Sequence, residues 1–205
     1  MVQNIHLHRG DLPADVAFEG DIAVDTETRG LKPHRDRLCV VQLSDGSGTA
    51  HLVQFDGETW DAPHLIALLS DPARTKIFHY ARFDVAILSW YLGIETAPLF
   101  CTKIASKLVR TYTDRHGLKD LCAELLQVEL SKQQQSSDWA AATLSQQQQA
   151  YAASDVLHLH RLRDHLTGML EREGRMHLAQ AAFDFLPVRA ELDLAGFDDM
   201  DIFSH

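Results

Sequence analysis

Three short segments carry carboxylates where an apolar pattern would otherwise continue. The stretch DIAVDTETRGL, residues 21–31, ends an apolar run with Asp25 and Glu27. In a strand, residues i and i+2 share a face, so these two acids project side by side with Thr26 and Thr28 opposite. Adjacent anions repel, and such a pair is tolerated when it is solvated at a wet strand end, when one member is protonated, or when a cation lies between them. Asp84 stands in HYARFDVAIL among Phe83, Val85, Ile87 and Leu88, and Asp155 stands in YAASDVLHL. An acid in an apolar helix is costly unless it is paired or coordinated. Taken singly, Asp84 and Asp155 have ion-pair partners on offer in His79, Arg82, His158 and Arg161. Taken together with Asp25 and Glu27 in one cleft, they would repel too strongly to remain ionised without counter-charge. Two divalent cations would cancel that charge, and all-oxygen ligands select hard ions, Mg²⁺ or Mn²⁺. Such a pair of ions clamps the attacking and leaving oxygens of a phosphodiester displacement. Tyr151, one helical turn before Asp155, would aim its phenol at the same place to orient or deprotonate the attacking water.

The elements that must gather these residues can be read from periodicity. Ile22 to Thr28, Leu38 to Leu43 and His51 to Phe55 read as strands, the last two joined by the turn-rich SDGSG. Pro63 opens a short helix, TKIFH is a short β-like run, and RFDVAILSWYL is a helix ended by Gly93. Thr102 to Val109 and Leu118 to Leu126 follow as amphipathic helices around Gly117. Ser145 and Gln148 form a capping box, with Leu144 as its staple, at the start of a long helix that carries Tyr151 and Asp155 on one face. Leu159, Leu162, Leu166 and Leu170 continue at helical spacing, and the tail is helical to Phe185 and again from Pro187 to Ala195, with Gly196 as the stop. Strands first and helices later indicate an α/β or α+β fold with a mixed sheet.

The whole chain bounds the partners. Its 205 residues, 45% hydrophobic and 23% charged, suit one sizeable core. MVQNIHLHRGDLP lacks the pattern of a secretory signal, and no run is long enough to span a membrane, so a soluble cytoplasmic protein with no membrane partner is expected. Cys39, Cys101 and Cys122 are odd in number and form no C-x-x-C pair, which favours buried thiols over a disulfide framework or a cysteine zinc site. A net charge of −10 argues against general attraction to long nucleic acid. The charge is uneven: residues 164–205 hold nine acids and three bases, whereas residues 101–119 hold Lys103, Lys107, Arg110, Arg115 and Lys119 against Asp114 alone. That basic segment suits a small anionic ligand, or is simply a solvated helix face.

The ordered trio DTET, HYARFD and YAASD resembles the three exonuclease motifs of the DEDD 3′-to-5′ exonuclease superfamily, in the tyrosine-bearing branch that includes ribonuclease D. Further stretches, LCVVQLS, FCTKIASKLVRTYTDRHGLK, SKQQQSSDW and FLPVRAELDLAGF, make the chain similar to the nano-RNase C enzymes, which degrade dinucleotides. The resemblance implies a ribonuclease H-like exonuclease fold, a mixed central sheet flanked by helices, as a single domain over residues 1–205 with a catalytic core at about 21–170 and a helical C-terminal extension at about 171–205. By the same carry-over, Asp25, Glu27 and Asp155 bind one metal, Asp25 bridges to a second, Asp84 holds that second ion partly through water, and Tyr151 positions the nucleophile. Leu31 matches the position of an apolar wedge between terminal bases, with an ordinary core leucine as the alternative. His79, Phe83, Lys132, Gln135, Ser137 and Trp139 are candidate substrate contacts.

Two departures from ribonuclease D bear on substrate. WAAATL replaces the W-x-x-R-P-L continuation, and the sequence stops at His205 where helical nucleic-acid-binding domains would follow. The expectation is a metal-dependent hydrolase releasing 5′-mononucleotides from very short RNA, chiefly dinucleotides, gripped by base stacking and end groups. The alternatives are a general 3′-to-5′ exonuclease acting on longer RNA or DNA in tRNA processing or repair, and a non-catalytic nucleic-acid-binding or scaffold protein. The resemblance also implies a homo-oligomer, a ring of eight. The tail DLAGFDDMDIFSH mixes acids with Phe197, Met200, Ile202 and Phe203, which would dock on a neighbouring subunit or fold back.

Overall fold

The apolar run from Leu38 becomes a strand in which every side chain is buried, as expected of a strand covered on both faces. In the computed structural model, which describes residues 4–131 and 133–205, it belongs to a six-stranded sheet. The strands are β1 (Asn4–Arg9), β2 (Ile22–Thr28), β3 (Leu38–Ser44), β4 (Thr49–Gln54), β5 (Lys76–Phe78) and β6 (Leu99–Cys101), in the order β1-β4-β3-β2-β5-β6. β2, β3 and β4 form the antiparallel meander, whereas β1, β5 and β6 pair in parallel. The sheet is therefore mixed, as the sequence predicts.

Among the described residues seven α-helices accompany it: α1 (Pro63–Leu69), α2 (Ala81–Leu92), α3 (Thr102–Val109), α4 (Leu118–Leu121), α5 (Gln146–Val156), α6 (Leu159–Arg172) and α7 (Met176–Leu192). α4 runs on as a π-helical turn over Cys122–Leu126, and α7 as another over Asp193–Phe197. Gly93 ends α2 in the left-handed conformation that a side chain would strain, φ 66°. At α5 the capping box forms: Ser145 Oγ accepts from the Gln148 N–H at 3.2 Å, and Gln148 Oε1 accepts from the Ser145 N–H at 3.0 Å. All four leucines of α6 that recur at helical spacing are fully buried.

Four elements differ from the sequence expectation. The lead-in is a strand, β1, whose polar alternation NIHLHR reflects an edge position beside β4. β6 is too short to give a periodic signal and is held by pairing with β5. The expected long helix divides at Leu157 and His158 into α5 and α6. Pro187 does not interrupt α7. An interior proline costs roughly 3 kcal/mol, and the buried Phe183, Leu186 and Ala190 that flank it supply compensating packing. The three cysteines are free and buried. Among the described residues no helix is long and apolar enough to cross a membrane.

Candidate active site

β2 and α5 bring the first and third acidic segments together. One carboxylate oxygen each from Asp25, Glu27 and Asp155 lies within 4.8 Å of the others. Strand alternation sets Asp25 and Glu27 on one face, and α5 packs across β2 and β3 to deliver Asp155 there. Asp84 enters separately. It sits in the first turn of α2, buried, and its Oδ1 accepts a 2.6 Å hydrogen bond from Thr26 Oγ1. Thr26 alternates to the other face from Asp25 and Glu27, so Asp84 stands outside the close trio while still acting on it electrostatically. The four acids predicted to converge are thus three within 4.8 Å of one another and one offset.

Among the described residues no lysine, arginine or histidine forms an ion pair with any of these acids. Arg82 is bound to Asp193 instead, and His79 to Thr102, which removes the ion-pair alternatives for Asp84. Loss of hydration raises the pKa of all four. Mutual repulsion adds to this: Asp25 acts on Glu27, Asp84 and Asp155, and the latter two act on Glu27. Gln42 Nε2, from the residue opposite Asp25 in the β2–β3 register, donates to Asp25 Oδ2 at 3.2 Å, and the Thr26 backbone amide also favours the ionised Asp25. A cluster of hard oxygens with neutral donors and, among the described residues, no ion-pair partner fits a divalent ion of the Mg²⁺ type.

The trio opens into a cleft of about 330 Å³, lined also by His79, Tyr80, Lys103, Lys119, Gln135 and Tyr151. Burial, and then Asp155, Glu27 and Asp25 in turn, pushes the Tyr151 hydroxyl far above its ordinary value. Tyr151 is therefore a neutral phenol, a hydrogen-bond donor or an orienting group, unless positive charge enters the cleft. Burial, and then Lys103, lowers His79 to about 3. Thr102 Oγ1 donates to the Phe78 carbonyl at 3.1 Å, so His79 Nδ1 is assigned as the donor to that hydroxyl at 2.9 Å and Nε2 as the acceptor. Lys103 and Lys119 come from the basic segment, and Lys103 Nζ lies 4.0 Å above the Tyr80 ring.

Tyr80 begins α2 in the left-handed region, φ 71°, a conformation uncommon for a residue with a side chain. It also lines a second cleft of about 230 Å³, formed with Leu31, Lys32, His34, Arg82, Phe83 and the acids Asp193, Asp198 and Asp199. Leu31 is 83% exposed, so it is not a core leucine. The remaining candidates divide by position. Gln135 is exposed at the acidic cleft, whereas Ser137 and Trp139 stand behind it. Ser137 Oγ accepts from Gln148 Nε2 at 3.2 Å, and Trp139 is buried with its ring 6.0 Å from that of Tyr151, which it supports by packing. Lys132 lies outside the described residues. Sequence reasoning missed Gln42, Thr26 and Tyr80. The amide inside the apolar run LCVVQLS is a signal for Gln42, but nothing local marks Tyr80.

Residues 11–171 match a family model described as 3′-5′ exonuclease. Among solved structures, Brucella melitensis NrnC bound to pGG superposes with a TM-score of 0.96 at 58% identity, covering 99% of each chain. Brucella melitensis NrnC with bound Mg²⁺ gives a TM-score of 0.94 at 57% identity, covering 98% of this chain and 99% of that one. Ribonuclease D of Acidiphilium cryptum is 38% identical over 161 residues, 78% of this chain and 41% of that protein. The chain thus spans less than half the length of the ribonuclease D relatives it matches. With the acidic trio, the helix-borne tyrosine and near-complete superposition on NrnC, this chain belongs to the 3′-5′ exonuclease family and is an NrnC-like, ribonuclease D-related member with a ribonuclease H-like fold.

Proposed function

We propose that this protein is a metal-dependent 3′-5′ exoribonuclease that hydrolyses very short RNA, chiefly dinucleotides, to 5′-mononucleotides. The observation that carries the reading is the convergence of Asp25, Glu27 and Asp155 in one cleft, with no ion pair to any of them among the described residues. Its substrate class is supported by the bound pGG in the 58%-identical NrnC structure. The two clefts that meet at Tyr80 fit such a molecule, the acidic one facing a scissile phosphate and the one with Leu31 and Phe83 facing the bases.

In this reading Asp25, Glu27 and Asp155 would hold one Mg²⁺ or Mn²⁺, and Asp84 would help Asp25 to hold a second. Divalent ions at such a site stabilise developing negative charge and lower the pKa of water. The chain supplies the rest. Tyr151 orients the attacking water through its hydroxyl, Lys103 and Lys119 offset substrate phosphate charge, and Gln135 and His79 Nε2 offer polar contacts along the cleft wall. Leu31 supplies the exposed apolar edge that separates adjacent bases.

The same reading extends to assembly and location. A homo-oligomer, a ring of eight, would cover exposed Trp90, Leu178, Phe197, Met200 and Phe203. The tail folds back in part, through Asp193 and Asp198, while Phe203 remains 74% exposed although its ring lies 5.9 Å from that of Phe185. Free cysteines suit the reducing cytoplasm. Hydrolysis of a dinucleotide, longer RNA and DNA, with Mg²⁺ and with chelator, tests the function. Metal-dependent turnover fastest on the dinucleotide is expected; equal or faster cleavage of long strands favours the general exonuclease that the ribonuclease D relatives suggest.

A further inference from the structure

The C-terminal turn 193–200 is tied to both walls of the cleft that holds Leu31 and Phe83. On one wall, Arg82 at the start of α2 donates from Nε and Nη2 to the two oxygens of Asp193 at 2.6 and 2.7 Å, and from Nη2 to the Asp198 carbonyl at 2.6 Å. On the other wall, Lys32 Nζ donates to Asp198 Oδ2 at 2.6 Å. Arg189 braces the turn from within, reaching Asp193 Oδ1 at 3.0 Å and the Phe197 carbonyl at 2.6 Å.

The loop carrying Leu31 is internally fastened. The Asp36 N–H donates to the Lys32 carbonyl at 2.7 Å, and the Lys32 N–H donates to Asp36 Oδ2 at 2.9 Å. A Cβ on Gly30 would lie 2.3 Å from Asp36 Oδ2, so a side chain there would have to displace the carboxylate that fastens the turn. Leu31 itself is almost wholly exposed, and burial therefore cannot set the loop's distance from Phe83. Beyond the strand anchors at its base, the loop has a polar tie across the cleft, from Lys32 to Asp198.

We infer that Asp193 and Asp198 are positioning residues that set the gap between Leu31 and Phe83, and so govern how tightly a short substrate is held rather than how fast its bond breaks. The inference rests on the proposed function for the identity of the ligand. The two ties differ in strength. Arg82 and Asp193 form a bidentate pair with Asp193 10% exposed, which fixes the α2 wall. Lys32 and Asp198 are 46% and 36% exposed, so the Leu31 wall yields when substrate enters.

The test compares wild type with Asp193→Asn, Lys32→Ala, Asp198→Ala and the exchanged pair Lys32→Asp/Asp198→Lys. Steady-state hydrolysis of a dinucleotide is measured with Mg²⁺, and equilibrium dinucleotide binding is measured with Ca²⁺. KM and Kd should rise about 10-fold in Asp193→Asn and about 2- to 5-fold in the single Lys32 and Asp198 variants, with kcat within about 2-fold. The exchanged pair should recover most of the loss, and Mg²⁺ affinity should stay constant throughout. The Lys32 and Asp198 variants are on the surface and fold regardless of the outcome at Asp193. Unchanged dinucleotide affinity in all variants overturns the inference, as does a parallel fall in kcat and Mg²⁺ affinity. Absence of hydrolysis by wild type overturns the proposed function instead, and the dinucleotide affinities then decide the positioning role by themselves.

Discussion

Asp25, Glu27 and Asp155 crowd together with no ion-pair partner among the described residues, whereas Asp193 and Asp198 are each bound to a basic side chain. Identical chemical groups are thus held in opposite electrical states. In the first set burial and mutual repulsion raise the carboxyl pKa values; in the second the Lys32 hydrogen bond lowers that of Asp198. The contrast separates a binding site from a brace. Acids whose charge the fold leaves uncompensated are prepared for an incoming cation, and acids whose charge is already compensated hold structure in place.

The contrast can be broken most directly at the trio. Asp25→Asn or Asp155→Asn should reduce hydrolysis by about 10³-fold or more through lost divalent-ion binding. The same change should stabilise the metal-free protein by on the order of 1–2 kcal/mol, because one repelling charge is gone. Melting curves with chelator, calorimetric Mg²⁺ titration and dinucleotide hydrolysis read the three effects, and a less stable metal-free variant would refute the claim of uncompensated charge. Tyr151→Phe sharpens the comparison from within the site. It removes the hydroxyl that the acids hold neutral and should lower kcat by about 10²-fold while Mg²⁺ affinity is unchanged.

Proton linkage gives a smaller signal. The folded metal-free protein retains protons on the trio that the unfolded chain has released, so a group with a raised folded pKa favours the native state only while it is protonated. Stability of the metal-free protein should therefore fall as pH rises from about 4 into the neutral range, and saturating Mg²⁺ should remove that fall. Thermal melts across pH, with and without Mg²⁺, check the sign; stability rising over this window without metal would contradict it. The least effect is expected at the brace's exposed end. Lys32→Ala should leave the melting temperature unchanged within measurement error, since a solvated pair contributes little, and its consequence should be confined to substrate affinity.

Much of this arrangement is legible locally. The period-two pattern of DIAVDTET places Asp25 and Glu27 on one face, and i, i+4 spacing behind a capping box does the same for Tyr151 and Asp155 on α5. Edge strand β1 and three-residue β6 are not legible, because their stability comes from pairing rather than from their own pattern. Trp139 reads as a substrate contact in the sequence, and only its burial against Tyr151 shows that it packs in the core instead.

The sequence by itself determined which carboxylates exist, which of them share a helical or strand face, and that too many acids stand in apolar surroundings to be ignored. Tertiary structure alone decided which acids would be neutralised. Arg82 is two residues from Asp84 and 111 from Asp193, yet it pairs with Asp193, while Asp84 turns to Thr26. Charge interaction depends on distance through space and on the surrounding dielectric, and neither is fixed by separation along the chain.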